Sequence, residues 1–170
     1  MTVRTNAPTG RREERDGATH VVYTRTFRAP IDDVWAAATE PDRMQRWIGT
    51  WSGDPATGSV EFRMTAEGDD VSAETYLVEV CEAPRLLVVR SAEAMYGTVW
   101  RLRVDLEEAD GVTTLTFAQQ VDSAAVAGDV GPGWEYYLDR LAAAHAGDDV
   151  TAIAWSDYES QSEHYRSLFG

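Results

Sequence analysis

The most regular pattern of apolar positions lies late in the chain, between Gly131 and Gly147. Trp134, Tyr137, Leu138, Leu141 and Ala144 recur at the spacing of one helical face. The stretch predicts a helix with a single apolar stripe. Pro132 is suited to its first turn, Glu135 to the positive end of its dipole, and Gly147 to its stop. Earlier in the chain the period switches from helical to alternating. Thr19 to Arg28 predicts a strand with Val21, Tyr23, Arg25 and Phe27 on one face. Five more alternating segments follow: Ser59 to Met64, Ser72 to Glu82, Leu86 to Ser91, Thr98 to Glu107 and Val112 to Val121. Short turns join them, Ala109-Asp110-Gly111 being the strongest hairpin signal. The predicted fold class is α+β: a curved antiparallel sheet of about six strands around a long C-terminal helix, with two short helices after the first strand.

The connecting segments complete this outline. Ala29-Pro30 ends the first strand, and Ile31, Val34, Trp35 and Ala38 form a helical stripe. Thr39 is placed to cap a second short helix, with Pro41 just inside and Met44, Trp47 and Ile48 on its apolar side. Gly49 to Gly58 is turn-rich, and its Trp51 suits either a pocket mouth or a lid over the core. Ser123 to Gly133 reads as a small-residue connection into the long helix. Residues 1–17 are polar and unpatterned and predict a disordered tail ahead of one domain over residues 18–147. Residues 148–170 form an acidic extension. Its Trp155, Tyr158, Tyr165 and Leu168 predict a short amphipathic helix from about Asp157, packed on the body or on a second copy in a homodimer.

Charge and composition narrow the function. The net charge is −14, and all 15 basic residues are arginine. Without lysine there is no Schiff-base chemistry, no pyridoxal phosphate attachment and no phosphate-loop lysine. A body this acidic repels nucleic acid and anionic membrane surfaces. No run of apolar residues is long enough for a membrane span. Cys81 is the single cysteine; a lone thiol fits a reducing, cytoplasmic setting, and its apolar neighbours Val78, Val80 and Leu86 suggest a small core residue. His20, His145 and His164 are too far apart in sequence to suggest a metal site, and no cofactor fingerprint is complete. His145 suits the negative end of the long helix better than a proton-transfer role.

The segment TRTFRAPIDDVWAAATEPDRMQRWIG resembles the opening of the heat-shock-protein ATPase activator homologue family, within the START-like helix-grip superfamily (SRPBCC) that also holds polyketide-cyclase-like domains. The resemblance is carried by Phe27, Ala29-Pro30, Val34-Trp35, Thr39-Glu40-Pro41 and Trp47. VEVCEAPRLLV, GVTTLTF and GPGWEYYLDRL extend it over about residues 19–147. It departs at Gly58-Ser59, where the family often has Gly-Gly, and at Arg90-Ser91, where a tryptophan is common. The resemblance implies the helix-grip architecture and an apolar cavity between helix and sheet. Its motif residues are mostly packing residues, so it implies less about chemistry.

The candidate site is therefore a ring-lined hollow. Phe62, Tyr76, Trp100, Trp134, Tyr137 and Leu141 converge on the interior, Trp47 and Trp51 lie near a mouth, and Arg25 or Gln119 would orient a ligand's polar group. Equally, the rings could fill a solid core. The leading expectation is a binding module for an apolar or aromatic small molecule, with no complete catalytic set and no metal. The alternatives are a chaperone-activating or other protein-interaction domain, and a cyclase- or hydrolase-like enzyme using polar cavity residues.

Overall fold

The computed structural model describes residues 7–170 except 69 and 96. Eight strands form one antiparallel sheet: β1 (Arg11–Arg15), β2 (Ala18–Phe27), β3 (Thr50–Ser52), β4 (Ser59–Arg63), β5 (Glu74–Glu82), β6 (Leu86–Ser91), β7 (Arg101–Ala109) and β8 (Val112–Gln120). Their spatial order is β1-β2-β8-β7-β6-β5-β4-β3. Two short helices, α1 (Ile31–Thr39) and α2 (Pro41–Met44), follow β2, and the long α3 (Ala124–Ala146) lies on the concave face. A last helix, α4 (Ser162–Phe169), packs against α3.

The two strands beyond the expected six have local causes. The segment expected to be disordered contains β1 within its described part, which pairs Arg11 with Val22 and Arg15 with Ala18. The reason is the two-residue turn Asp16-Gly17, where both residues have positive φ (51° and 77°), the geometry that joins adjacent strands most tightly. Asp110-Gly111 makes the same turn between β7 and β8, with φ 52° and 77°. The first six residues of the expected tail lie outside the described residues. At the opposite edge, Trp51 belongs to β3 rather than to a loop and sits opposite Phe62 of β4.

The long helix begins seven residues before the expected start. Ser123 caps it, its hydroxyl accepting from the N–H of Val126 at 3.2 Å. The supposed connection Ala124–Gly133 is thus helical, and Pro132 stands in the helix interior rather than in its first turn. An interior proline costs roughly 3 kcal/mol, partly because the carbonyl four residues back loses its N–H. Here that carbonyl belongs to Gly128, and the hydroxyl of Ser162 donates to it at 2.6 Å. The Tyr23 hydroxyl likewise donates to the carbonyl of Gly131 at 2.8 Å. The glycines beside the proline open a notch: a Cβ on Gly131 would lie 2.2 Å from the Tyr165 ring, and one on Gly128 would lie 2.6 Å from the Arg166 side chain. The extension accordingly docks on the body of its own chain, with Tyr165 fully buried. Gly147 ends α3 with φ 78°, as the sequence suggests.

Two smaller expectations are corrected. Thr39 does not cap α2; its hydroxyl donates to the Trp35 carbonyl at 2.7 Å, and Glu40 holds the cap position with extended backbone. Cys81 is exposed rather than a core residue. A bulge between Val78 and Val80 shifts the alternation of β5, so that Cys81 follows Tyr76 and Val78 onto the inner face in place of Val80.

Filling the notch tests the docking of α4. Gly131→Ala is expected to lose about 2 kcal/mol or more, because the ring it meets is packed and cannot retreat. Gly133→Ala, whose Cβ meets nothing within 4 Å, is expected to be neutral or to gain up to about 1 kcal/mol of helix propensity. Denaturant unfolding of the pair reads the difference.

Candidate functional site: a ring-lined cavity

Helix α3 divides the concave face unequally. Over β2 the packing is closed, with Val21, Tyr23 and Phe27 buried, while Leu115 and Phe117 of β8 border the open side. Over β4 to β7 it is open, and a cavity of about 1360 Å³ remains between sheet, α1, α2 and α3. This exceeds the range of roughly 300–1,000 Å³ usual for small-molecule sites. The walls are built as the alternation dictates: Val60 and Phe62 from β4, Tyr76 and Val78 from β5, Leu87 and Val89 from β6, Leu102 and Val104 from β7. The far wall is Trp134, Tyr137, Leu138 and Leu141 of α3.

Of the ten residues expected at the site, eight line this cavity: Trp47, Trp51, Phe62, Tyr76, Trp100, Trp134, Tyr137 and Leu141. The other two, Arg25 and Gln119, are placed outside its lining, for the same reason. Arg25 does point inward, but on the closed side of α3. There its guanidinium lies 3.0 Å from Glu135 and 3.2 Å from Asp139, forming a buried ion pair rather than a ligand contact. Gln119 is buried beneath Trp134, its side-chain carbonyl accepting from the indole N–H at 2.6 Å. Each polar side chain found its partner on the helix, as a buried polar group must. Trp47 and Trp51 also spend their indole N–H groups on backbone carbonyls, those of Ala37 (3.0 Å) and Thr39 (2.7 Å). Only the ring faces of these two are left for a ligand.

Several cavity residues escaped the sequence reading. Trp35 and Trp155 complete the set, so all six tryptophans of the chain line one cavity. Trp155 comes from the extension, is 41% exposed and meets Tyr136 edge-on at 5.5 Å. The count of six tryptophans in a single domain was the available signal. The carboxylates were missed altogether. Glu40, Glu67, Glu74 and Asp129 contribute to the lining, and among the described residues no arginine or histidine does. Burial, with the neighbouring charge of Glu67, holds the Glu74 carboxyl above the usual range. The Tyr137 hydroxyl donates to Glu67 at 3.4 Å. Burial also raises the Tyr76 and Tyr137 hydroxyls, so both remain neutral donors at physiological pH.

Outside the cavity, His145 lies 2.8 Å from Asp33 and edge-on to Phe27 at 5.2 Å, which ties the end of α3 to α1. Among the described residues no group of three His, Cys, Asp or Glu side chains could hold a metal ion. Nor is any described helix long and apolar enough to cross a membrane.

The comparisons with known proteins agree with this geometry. Residues 28–146 match the family model described as activator of Hsp90 ATPase homolog 1-like protein. The sequence has no significant match among curated proteins. Among solved structures, the crystal structure of CalU16 from Micromonospora echinospora is similar, with a TM-score of 0.73, 22% identity, and 96% of this chain and 97% of that one covered. The protein encoded by BPP1335 of Bordetella parapertussis gives a TM-score of 0.70, 22% identity and coverage of 96% and 94%. DynU16, encoded in the dynemicin biosynthetic locus, gives 0.57 and 23%, covering 77% of this chain and 49% of that one. At these identities the likeness establishes the fold.

Two outcomes check the site's construction. Gln119→Leu strands the Trp134 N–H and is expected to cost about 1–3 kcal/mol of stability, with no loss of affinity for a cavity ligand. At Glu74 the sign runs the other way. A carboxyl whose folded pKa is raised weakens the fold at pH values above that pKa, and the penalty vanishes below the ordinary carboxylate range. Glu74→Gln is therefore expected to raise Tm near about pH 7.5, with the gain gone near about pH 4.

Proposed function

The chain belongs to the activator of Hsp90 ATPase homolog 1-like family, and on that footing we propose that it is a binding module for an aromatic or largely apolar small molecule. The observation that carries this is the cavity of about 1360 Å³ lined by six indoles. Burying apolar surface is the main stabilising term of a fold, at roughly 25 cal/mol per Å². Leaving an apolar hollow unfilled forgoes part of that term, and a ligand restores it. The similarity to DynU16, a protein in the dynemicin biosynthetic locus, accords with a small-molecule ligand. A chaperone-activating role would use an exposed apolar surface; Trp155 is exposed, but it also lines the cavity and leans on Tyr136, which favours service at the mouth. A reaction inside the cavity would depend on Glu67, Glu74 and the neutral tyrosines as its polar groups.

Binding of the neutral fluorophore N-phenyl-1-naphthylamine tests the reading directly. Saturable uptake at one site is expected, and Val89→Trp, which plants a ring in the middle of the hollow, is expected to weaken it at least about tenfold while the protein stays folded. Native mass spectrometry of the protein from its own host would show the natural ligand as added mass. Absence of both uptake and added mass would remove the proposal.

A further inference from the structure

The carboxylates of the cavity say what kind of molecule it takes. Among the described residues four acids reach its surface, Glu40, Glu67, Glu74 and Asp129, and no basic side chain joins them in the lining. Nearby arginines are engaged elsewhere: Arg63 donates to the Val71 carbonyl at 3.2 Å and Arg140 to the Trp47 carbonyl at 2.8 Å. Glu74 stands out. Its Oε2 is buried and has no hydrogen-bond partner among the described residues. Lying opposite Phe62 in the β4–β5 register and two residues from Tyr76, it borders a pair of rings that meet edge-on at 5.9 Å. Leaving a buried carboxylate oxygen unpaired costs free energy that a protein ordinarily avoids. Aromatic faces are themselves electron-rich and attract a cation.

We propose that the ligand is an aromatic cation, a ring system bearing an amine whose ammonium group docks on the carboxylate of Glu74 while its rings lie among the indoles. This rests on the small-molecule reading above and adds to it the ligand's charge. An ammonium supplies three donors and the charge that the site lacks, and Glu67 stands ready as a second acceptor. An anion would face four like charges with no cation among the described lining residues. A bare metal ion would find no group of three ligating side chains among the described residues.

The test compares three probes of equal size at neutral pH: 1-naphthylmethylammonium, 1-naphthylmethanol and 1-naphthoate. Calorimetric titrations in about 0.15 M salt screen the general attraction of an acidic chain for cations. The ammonium is expected to bind at one site at least about tenfold more tightly than the alcohol, with the carboxylate weakest. Glu74→Gln is expected to erase the advantage of the ammonium and leave the alcohol unchanged. Glu67→Gln, expected to reduce the advantage partially, provides a second readout if the first variant is poorly folded. Equal binding of ammonium and alcohol by the wild-type protein would overturn the cationic assignment while leaving the cavity reading intact. An advantage that survives Glu74→Gln would overturn the docking group. Failure of all three probes, together with failure of the neutral fluorophore, would take both readings down.

Discussion

A single buried carboxylate holds together the parts of the chain that have least reason to meet. Glu135 is 2% exposed, yet it accepts from the N–H and hydroxyl of Thr9, the N–H of Gly10, the hydroxyl of Tyr165 and the guanidinium of Arg25. A charge this deeply buried is tolerable only when nearly every lone pair is engaged. The donors come from the segment before β1, from β2 and from α4, so satisfying one side chain brings three elements to the same face of α3. Removing the carboxylate would leave Arg25 with the half-exposed Asp139 as its one anionic partner among the described residues. The interlock also explains why the Gly-Pro-Gly notch is tolerated in a long helix: what α3 loses in internal hydrogen bonding, α4 and Tyr23 return from outside.

That concentration of bonds on one side leaves the other side of the helix free of structural duty. Towards β1, β2 and β8, α3 is bolted down by an ion pair, hydrogen bonds and close ring packing. Towards β4, β5 and β6 it lends part of the otherwise buried Trp134 and Tyr137 rings to the cavity wall. The hollow is thus stable without being filled, because the grip comes from the opposite flank. Trp134 belongs to both sides, its N–H anchored on Gln119 and its ring 4.3 Å from Phe117, with one surface left facing the cavity.

Much of this was written in periodicity. The stripe from Trp134 to Leu141 and the alternations of the six central strands are long patterns, and the structure follows them. Local chemistry was harder to weigh against pattern. Asp16-Gly17 carries the same turn signal as Asp110-Gly111, but it joins β2 to a strand of charged residues, RREER, whose lack of apolar alternation hid it. Pro132 looked like a beginning because its lost N–H is harmless there; only the arrival of Ser162, 30 residues later in the chain, makes it acceptable inside the helix. The cavity's rings were legible as a set, since inward phase and aromatic character suffice to gather them. Arg25 and Gln119 point inward as their phase implies, but phase says which face a side chain leaves from and nothing about what stands opposite, and here α3 stands opposite both. Glu67 and Glu74 had no signal in a chain already rich in acids.

The gathering of every indole around one hollow has an optical corollary. In most proteins tryptophan emission averages over scattered environments, whereas here each of the six emitters borders the same enclosed space. Their spectrum is in effect that of the cavity wall. Its colour records how wet that wall is.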